Sequence, residues 1–155
     1  LAQPRWGPPS LMLDTRRNFE QMYEKYGQDP GDVPLAVLRW LNVTESHEES
    51  LEAADNLRYT YRVAFACRGG YQELDGHIHR EIPAEGEPDL EDIARYALIG
   101  DVSKITDQIA KEFQTYRPDH MCFSLGMGSH IRSMRSLERL GSEIMPRLQS
   151  EMASA

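Results

Sequence analysis

Cysteine is scarce in this chain of 155 residues: Cys67 and Cys122 are the two, and they form no Cys-x-x-Cys pair. A zinc ribbon, a dithiol redox motif and a disulfide framework each need paired or clustered thiols and therefore lose support. Both cysteines are expected to be ordinary buried thiols. Long apolar runs are missing too. None approaches the ~20 residues that a bilayer-spanning helix needs, and Leu1 to Ser10 lacks the basic-then-apolar layout of a secretion signal. A cytosolic chain without membrane contact is the expectation. Positive charge is in deficit, with 17 Lys plus Arg against 25 Asp plus Glu for a net charge of −8. An acidic surface repels phosphate backbones, so nucleic acid is not expected as a partner. The first residue is Leu rather than Met, which reads as the trace of something removed from the front. What is present in quantity, 40% apolar and 27% charged residues, suffices for one globular domain over 1–155 with its own core.

Leu11-Met12-Leu13 reads as a short strand, followed by Asp14 at a helix N-cap and a helical stripe of Phe19, Met22, Tyr23 and Tyr26 that ends at Gly27. After the turn signals Asp29-Pro30-Gly31-Asp32, the stretch from Pro34 to Val43 is nearly continuous in apolar residues, as expected of a strand covered on both faces. Arg39 interrupts it and, if buried, requires a carboxylate or an anionic substrate. Ser46 and Glu49 make a Ser-x-x-Glu capping box, and Leu51, Ala54, Leu57 and Tyr61 continue a helix through about Ala66. From Gly69 to Pro88 the periodicity gives way to glycines, prolines and charges, a long loop for a small domain. Asp89 starts a short helix through Ala97. Asp101 caps another with the stripe Val102, Ile105, Ile109 and Phe113, stopped before Pro118. His120 to Leu125 reads as a buried strand leading through Gly126-Met127-Gly128-Ser129 into a last helix. That helix carries Ile131, Met134, Leu137, Leu140, Ile144 and Leu148 on one face, with Pro146 near its end. No internal repeat is visible. Strands alternating with helices imply parallel pairing and an α/β fold, either a small open sheet or part of a barrel. A whole (β/α)₈ barrel takes about 250 residues and at least roughly 200, so the chain is too short to be one.

Three strings stand in order along the chain: Tyr23-Glu24-Lys25-Tyr26-Gly27 before the strand ending Asn42-Val43-Thr44, then Ile99-Gly100-Asp101-Val102 opening a helix, then Ser142-Glu143-Ile144-Met145-Pro146-Arg147-Leu148. Together, from about Leu11 to Leu148, the chain is similar to the C-terminal part of the bacterial luciferase-like flavin monooxygenases, whose members fold as (β/α)₈ barrels. Relatives often carry Pro where this chain has Val102, a difference confined to a helix start. The resemblance implies the last three strand-helix units of a barrel. Barrel sites are assembled from the C-terminal ends of many strands, and in the family the catalytic residues and much of the flavin-phosphate grip come from earlier ones. No catalytic residue is assigned here.

Within that resemblance, Tyr61, with Tyr59 beside it, falls where a family aromatic approaches the isoalloxazine ring; read from the residues alone, Tyr61 packs on the buried face of its helix. Gly126 and Gly128 sit at a strand-to-helix turn where backbone N–H groups can approach a flavin edge or phosphate, or serve the turn's own geometry. Asn42 and Thr44 end a strand on the expected catalytic side, as ligands or as caps. The loop over 69–88 is implied to be a lid that keeps water from the oxygen chemistry, or it is a solvated loop without function. His77-Ile78-His79 offers two ligands where zinc needs three or four, so no metal is expected, and Asp14, Asp89 and Asp101 read as caps.

The resulting expectation is part of a flavin-dependent oxidoreductase that uses reduced FMN and O₂, or the deazaflavin F420, on a small organic substrate. Its rival is a non-catalytic fragment or split half that needs the missing barrel strands, with exposed sheet edges favouring self-association or association with that segment. A metal-dependent hydrolase built on the histidines is a third, weaker reading.

Overall fold

A computed structural model describes residues 4–5, 9–32, 34–70, 73–125 and 128–153. In chain order its elements are β1 (Pro4–Arg5), α1 (Pro9–Lys25), a 3₁₀ turn (Pro30–Asp32), β2 (Ala36–Val43), α2 (His47–Gly69), β3 (Leu74–Asp75), β4 (Ile78–His79), α3 (Leu90–Tyr96), β5 (Leu98–Gly100), α4 (Val102–Tyr116), β6 (His120–Ser124), α5 (His130–Arg139), a π-helical turn (Leu140–Ile144) and α6 (Met145–Ala153). The fold is mixed α/β, and β1, β5 and β6 all pair with β2 in parallel.

β2 is the hub. The carbonyl of Leu35 accepts from His120 N–H on one edge of this segment, and Thr44 N–H donates to Gly100 O on the other. Backbone groups of residues an odd number apart in a strand point to opposite edges, so β6 and β5 flank β2 on its two sides. Consecutive strands of a (β/α)₈ barrel would stand in chain order, with β5 between β2 and β6. Side chains alternate accordingly. Leu41, Val43 and Leu98 pack with Val102, Ile105, Ile109, Ile144 and Leu148, while Ile99 packs on the other face with Ala53, Ala54, Leu57, Ile93 and Ala94. Helices therefore cover both faces around β5. A third cluster joins Met12 of α1 to Leu35, Val37 and Tyr116.

Several local readings hold. Asp89 and Asp101 cap α3 and α4 through the N–H groups of Asp92 and Lys104, each at 2.8 Å, and Ser46 accepts from Glu49 N–H at 3.1 Å. The Glu49 carboxylate of that capping box reaches Glu45 N–H, one residue beyond the usual position. Gly27, at φ 70°, closes α1 with the paired bonds of a Schellman motif: Gln28 N–H to Tyr23 O and Gly27 N–H to Glu24 O.

Others are corrected. Leu11-Met12-Leu13 is helix, not strand, and Asp14 lies within α1 rather than at its cap; Pro9 stands at the first helical position, where its fixed φ suits a helix start. The last apolar stripe does not stay on one face. The π turn inserts a residue just before Pro146, which has no N–H for an α-helical bond, so Ile144 and Leu148 turn inward while Ile131, Met134 and Leu137 face out. The strand β5 went unread, because three residues between two capped helices carry no periodicity. The stretch over 69–88 holds a two-residue hairpin, with Leu74 opposite His79 and Asp75 opposite Ile78. Strand β6 is half-open rather than buried, and both Cys67 and Cys122 are exposed, against the expectation of buried thiols.

Candidate functional site

The C-terminal end of β2, the start of α2 and one side of α5 come together. Asn42 and Thr44 are both buried here, and the hydroxyls of Thr44 and Ser50 lie 2.7 Å apart. Helix α5 fastens to the strand end through its polar side. Ser136, fully buried, accepts from Val43 N–H at 3.0 Å on the edge that β6 has already left. Arg135 donates to Val43 O at 3.3 Å and Glu49 at 2.8 Å, and lies 3.2 Å from Glu45. One turn to either side, Arg132 meets Glu52 at 2.7 Å and Arg139 meets Glu45 at 3.5 Å.

Charge within this cluster is nearly self-balanced. The N–H of Glu45 and the Arg135 guanidinium hold the Glu49 carboxyl below the usual carboxylate range against the opposing effect of burial. Arg132, Arg135 and Arg139 face Glu45, Glu49, Glu52 and Glu143, so the arginines are already committed to carboxylates. The group therefore fits a structural clamp and does not fit a flavin phosphate, which would need cationic donors that are not already neutralised. Sequence reasoning missed Ser136 and the arginine row. The Arg132, Arg135, Arg139 spacing was the available signal, since i, i+3 and i+7 share one helix face.

The expected cofactor residues separate into two groups. Asn42 and Gly128 come to the strand-end region; a side chain at Gly128 would come within 3.8 Å of Asn56 Nδ2 on α2. Tyr59 and Tyr61 lie 12 and 14 residues along α2, roughly 18–21 Å from its first turn at 1.5 Å per residue. Asn56 is one turn short of Tyr59, so Gly128 spans part of that gap. Gly126 lies outside the described residues. Tyr61 is half-buried and stacks on Phe65 with ring centroids 5.9 Å apart.

Beside this aromatic pair, Arg62 ties the 81–87 segment to α2. Its guanidinium binds Glu87 through two nitrogens and Glu81 at 2.8 Å. Glu87 raises the pKa of Arg62 well above its ordinary value, and Arg62 depresses that of Glu87 in return. The two-point tether straps the 81–87 segment to α2. His77 and His79 lie on the exposed hairpin, and no cluster of three metal-ligating side chains occurs among the described residues.

Arg39 finds its carboxylate away from the strand ends. Its NH2 donates to Glu112 at 2.7 Å and to Tyr96 O at 2.5 Å, and Tyr116 donates its hydroxyl to the other oxygen of Glu112. With Arg39 at 2% exposure and Glu112 at 5%, the pair lies in the layer between β2 and α4 and joins those elements. No helix among the described residues is long and apolar enough to cross a membrane. No protein-family model matches the sequence, and no curated protein matches it.

Proposed function

We propose that the chain forms the C-terminal part of a luciferase-like (β/α)₈ barrel and supplies pocket wall and lid to a flavin-dependent oxidoreductase. The carrying observation is the open face of the β2–β6 pair. Parallel strands occur almost exclusively with both faces covered. Yet His120 and Cys122 are exposed, and Leu38, Trp40 and Ser124 are half-covered, on the face of the pair opposite Met121 and Phe123. A barrel interior lined by further strands supplies the missing cover. The ordered strings from Tyr23 to Leu148 support the same reading. Reduced FMN, acting with O₂, or F420, acting by hydride transfer, would supply the chemistry on a small organic substrate. The phosphate grip and the catalytic groups belong to the earlier strands. Here Asn42 and Gly128 offer polar groups near the strand ends, Tyr61 offers an aromatic face, and the Arg62 tether holds the cover.

The barrel demands two rearrangements: β6 must leave β2 and pair with β5, and α2 and α3 must leave the face opposite α4, because the helices of a barrel all lie outside its strands. The observed order favours the second reading, a non-catalytic half that folds on itself when the earlier strands are missing. Two measurements decide. Titration with reduced and oxidised FMN, with and without the preceding segment, is expected to show binding in the complete protein alone, and Tyr61→Ala is expected to weaken it more than Tyr23→Ala. Equal effects would remove Tyr61 from the site. The Leu38→Cys variant places a thiol opposite Cys122 across β2–β6, where neighbouring strands lie about 4.8 Å apart, within disulfide reach. It is expected to crosslink in this chain and not in the complete barrel. Crosslinking in both refutes the barrel.

A further inference from the structure

Helix α5 turns a contiguous apolar stripe to solvent. Ile131 is 79% exposed, and Met134 and Leu137 are each 49% exposed. A shallow groove of about 600 Å³ runs beside them, lined by His130, Ile131, Met134, Arg135, Leu137 and Glu138. Single exposed apolar residues are ordinary, whereas three in one helical stripe with a groove alongside mark a contact surface. The stripe has no inward alternative. The other side of α5 is pinned to the end of β2 by Ser136 and Arg135, and the π turn that follows lets Ile144 and Leu148 enter the core without carrying α5 round with them.

We propose that this face is a homodimer contact in which two copies of α5 pack antiparallel about a two-fold axis near Met134. The stripe is its own complement. Three residues to either side of Met134 stand Ile131 and Leu137, so the two-fold sets each isoleucine against the other copy's leucine and methionine against methionine. Four residues to either side stand His130 and Glu138, so each end of the contact sets an imidazole donor against a carboxylate. Antiparallel pairing also opposes the two helix dipoles. Arg135, the remaining charge in the groove, is occupied by Glu45 and Glu49 of its own chain and brings no unpaired cation to the contact. A parallel arrangement would place Glu138 beside Glu138. Isologous contacts of this kind are the commonest way in which chains pair. The stripe is small compared with the roughly 800 Å² per partner of a standard interface, so the dimer is weak and depends on concentration.

Sedimentation velocity on the full chain from about 10 μM to about 1 mM tests this, because weak complexes populate across that range. A dimer fraction that rises with concentration is expected. Met134→Glu should weaken it by more than about tenfold, as loss of a central anchor does. Met22→Glu, at an exposed methionine on α1, should leave it unchanged. Glu138→Lys should weaken dimerisation, and the His130→Glu/Glu138→Lys pair should restore it, which a merely misfolded variant would not do. Circular dichroism confirms that each variant stays folded. A chain that remains monomeric throughout overturns the proposal, as does a dimer indifferent to Met134→Glu. So does a monomeric chain whose α5 face instead takes up the preceding barrel units.

Discussion

Removing the carboxylate of Glu112 tests the packing between β2 and α4 at its most demanding point. Glu112 accepts from Arg39 at 2.7 Å, a buried contact between β2 and α4, and from the hydroxyl of Tyr116 one turn further along α4. Glu112→Ala leaves a guanidinium at 2% exposure without its carboxylate, although Tyr96 O still accepts from it. Breaking one partner of a buried pair costs about 3–5 kcal/mol, a large share of the roughly 5–15 kcal/mol that stabilises a domain. With a urea dependence of about 2 kcal/mol per molar, the unfolding midpoint should fall by about 1.5–2.5 M. Should the single variant prove too unstable to fold, Arg39→Met/Glu112→Leu supplies the second measurement. It removes both charges along with their desolvation cost and is expected to lie within about 1–2 kcal/mol of the parent. A midpoint shift below about 0.5 M for Glu112→Ala would mean that Arg39 reaches water in solution and that the burial argument is wrong.

Ser136→Ala should cost about 1–3 kcal/mol, because it leaves Val43 N–H buried without its acceptor; unchanged stability in urea would show that water replaces the hydroxyl. Gly100→Ala should destabilise by about 1–3 kcal/mol, since Gly100 sits at φ 153° and an added Cβ would come within 2.6 Å of Lys104 Cδ, whose ammonium holds Ala94 O and Ile99 O; a neutral result would mean that β5 relaxes. The cover over α2 should loosen in acid. The folded carboxyls of Glu87 and Glu49 release their protons more readily than in the unfolded chain, so their stabilisation is complete above the ordinary value of 4.5 and is lost as pH falls through their lower folded values. Amide exchange over 73–88 should therefore be faster, relative to unfolded controls at each pH, below pH 4.5 than at pH 6, and Arg62→Gln should remove that difference.

The strap itself follows the same division between what is local and what is not. Arg62 is an unremarkable charge in a helix, and Glu81 and Glu87 are two of many acids in a stretch without periodicity; pairing them required α2 and the 81–87 segment to be laid side by side. Likewise, no spacing rule joins Arg39 to Glu112, although a lone arginine in an apolar strand did announce that a partner had to exist. Cys122 is exposed although β6 resembles a buried strand in composition, because whether a strand is covered depends on what lies above it rather than on its own residues.

Features governed by a few neighbouring residues were legible in the sequence. The caps at Ser46, Asp89 and Asp101, the end of α1 at Gly27, the buried stripe of α4 and the α/β class each rest on contacts within a turn or two, where residue type and period suffice. Tertiary structure alone decided the strand order, the outward turn of α5 at the π insertion, the pairing of Arg39 with Glu112 and the commitment of the arginine row to carboxylates. Those outcomes depend on which surfaces meet across tens of residues. The free energy of such meetings comes from burial and charge pairing, which no short window of sequence contains.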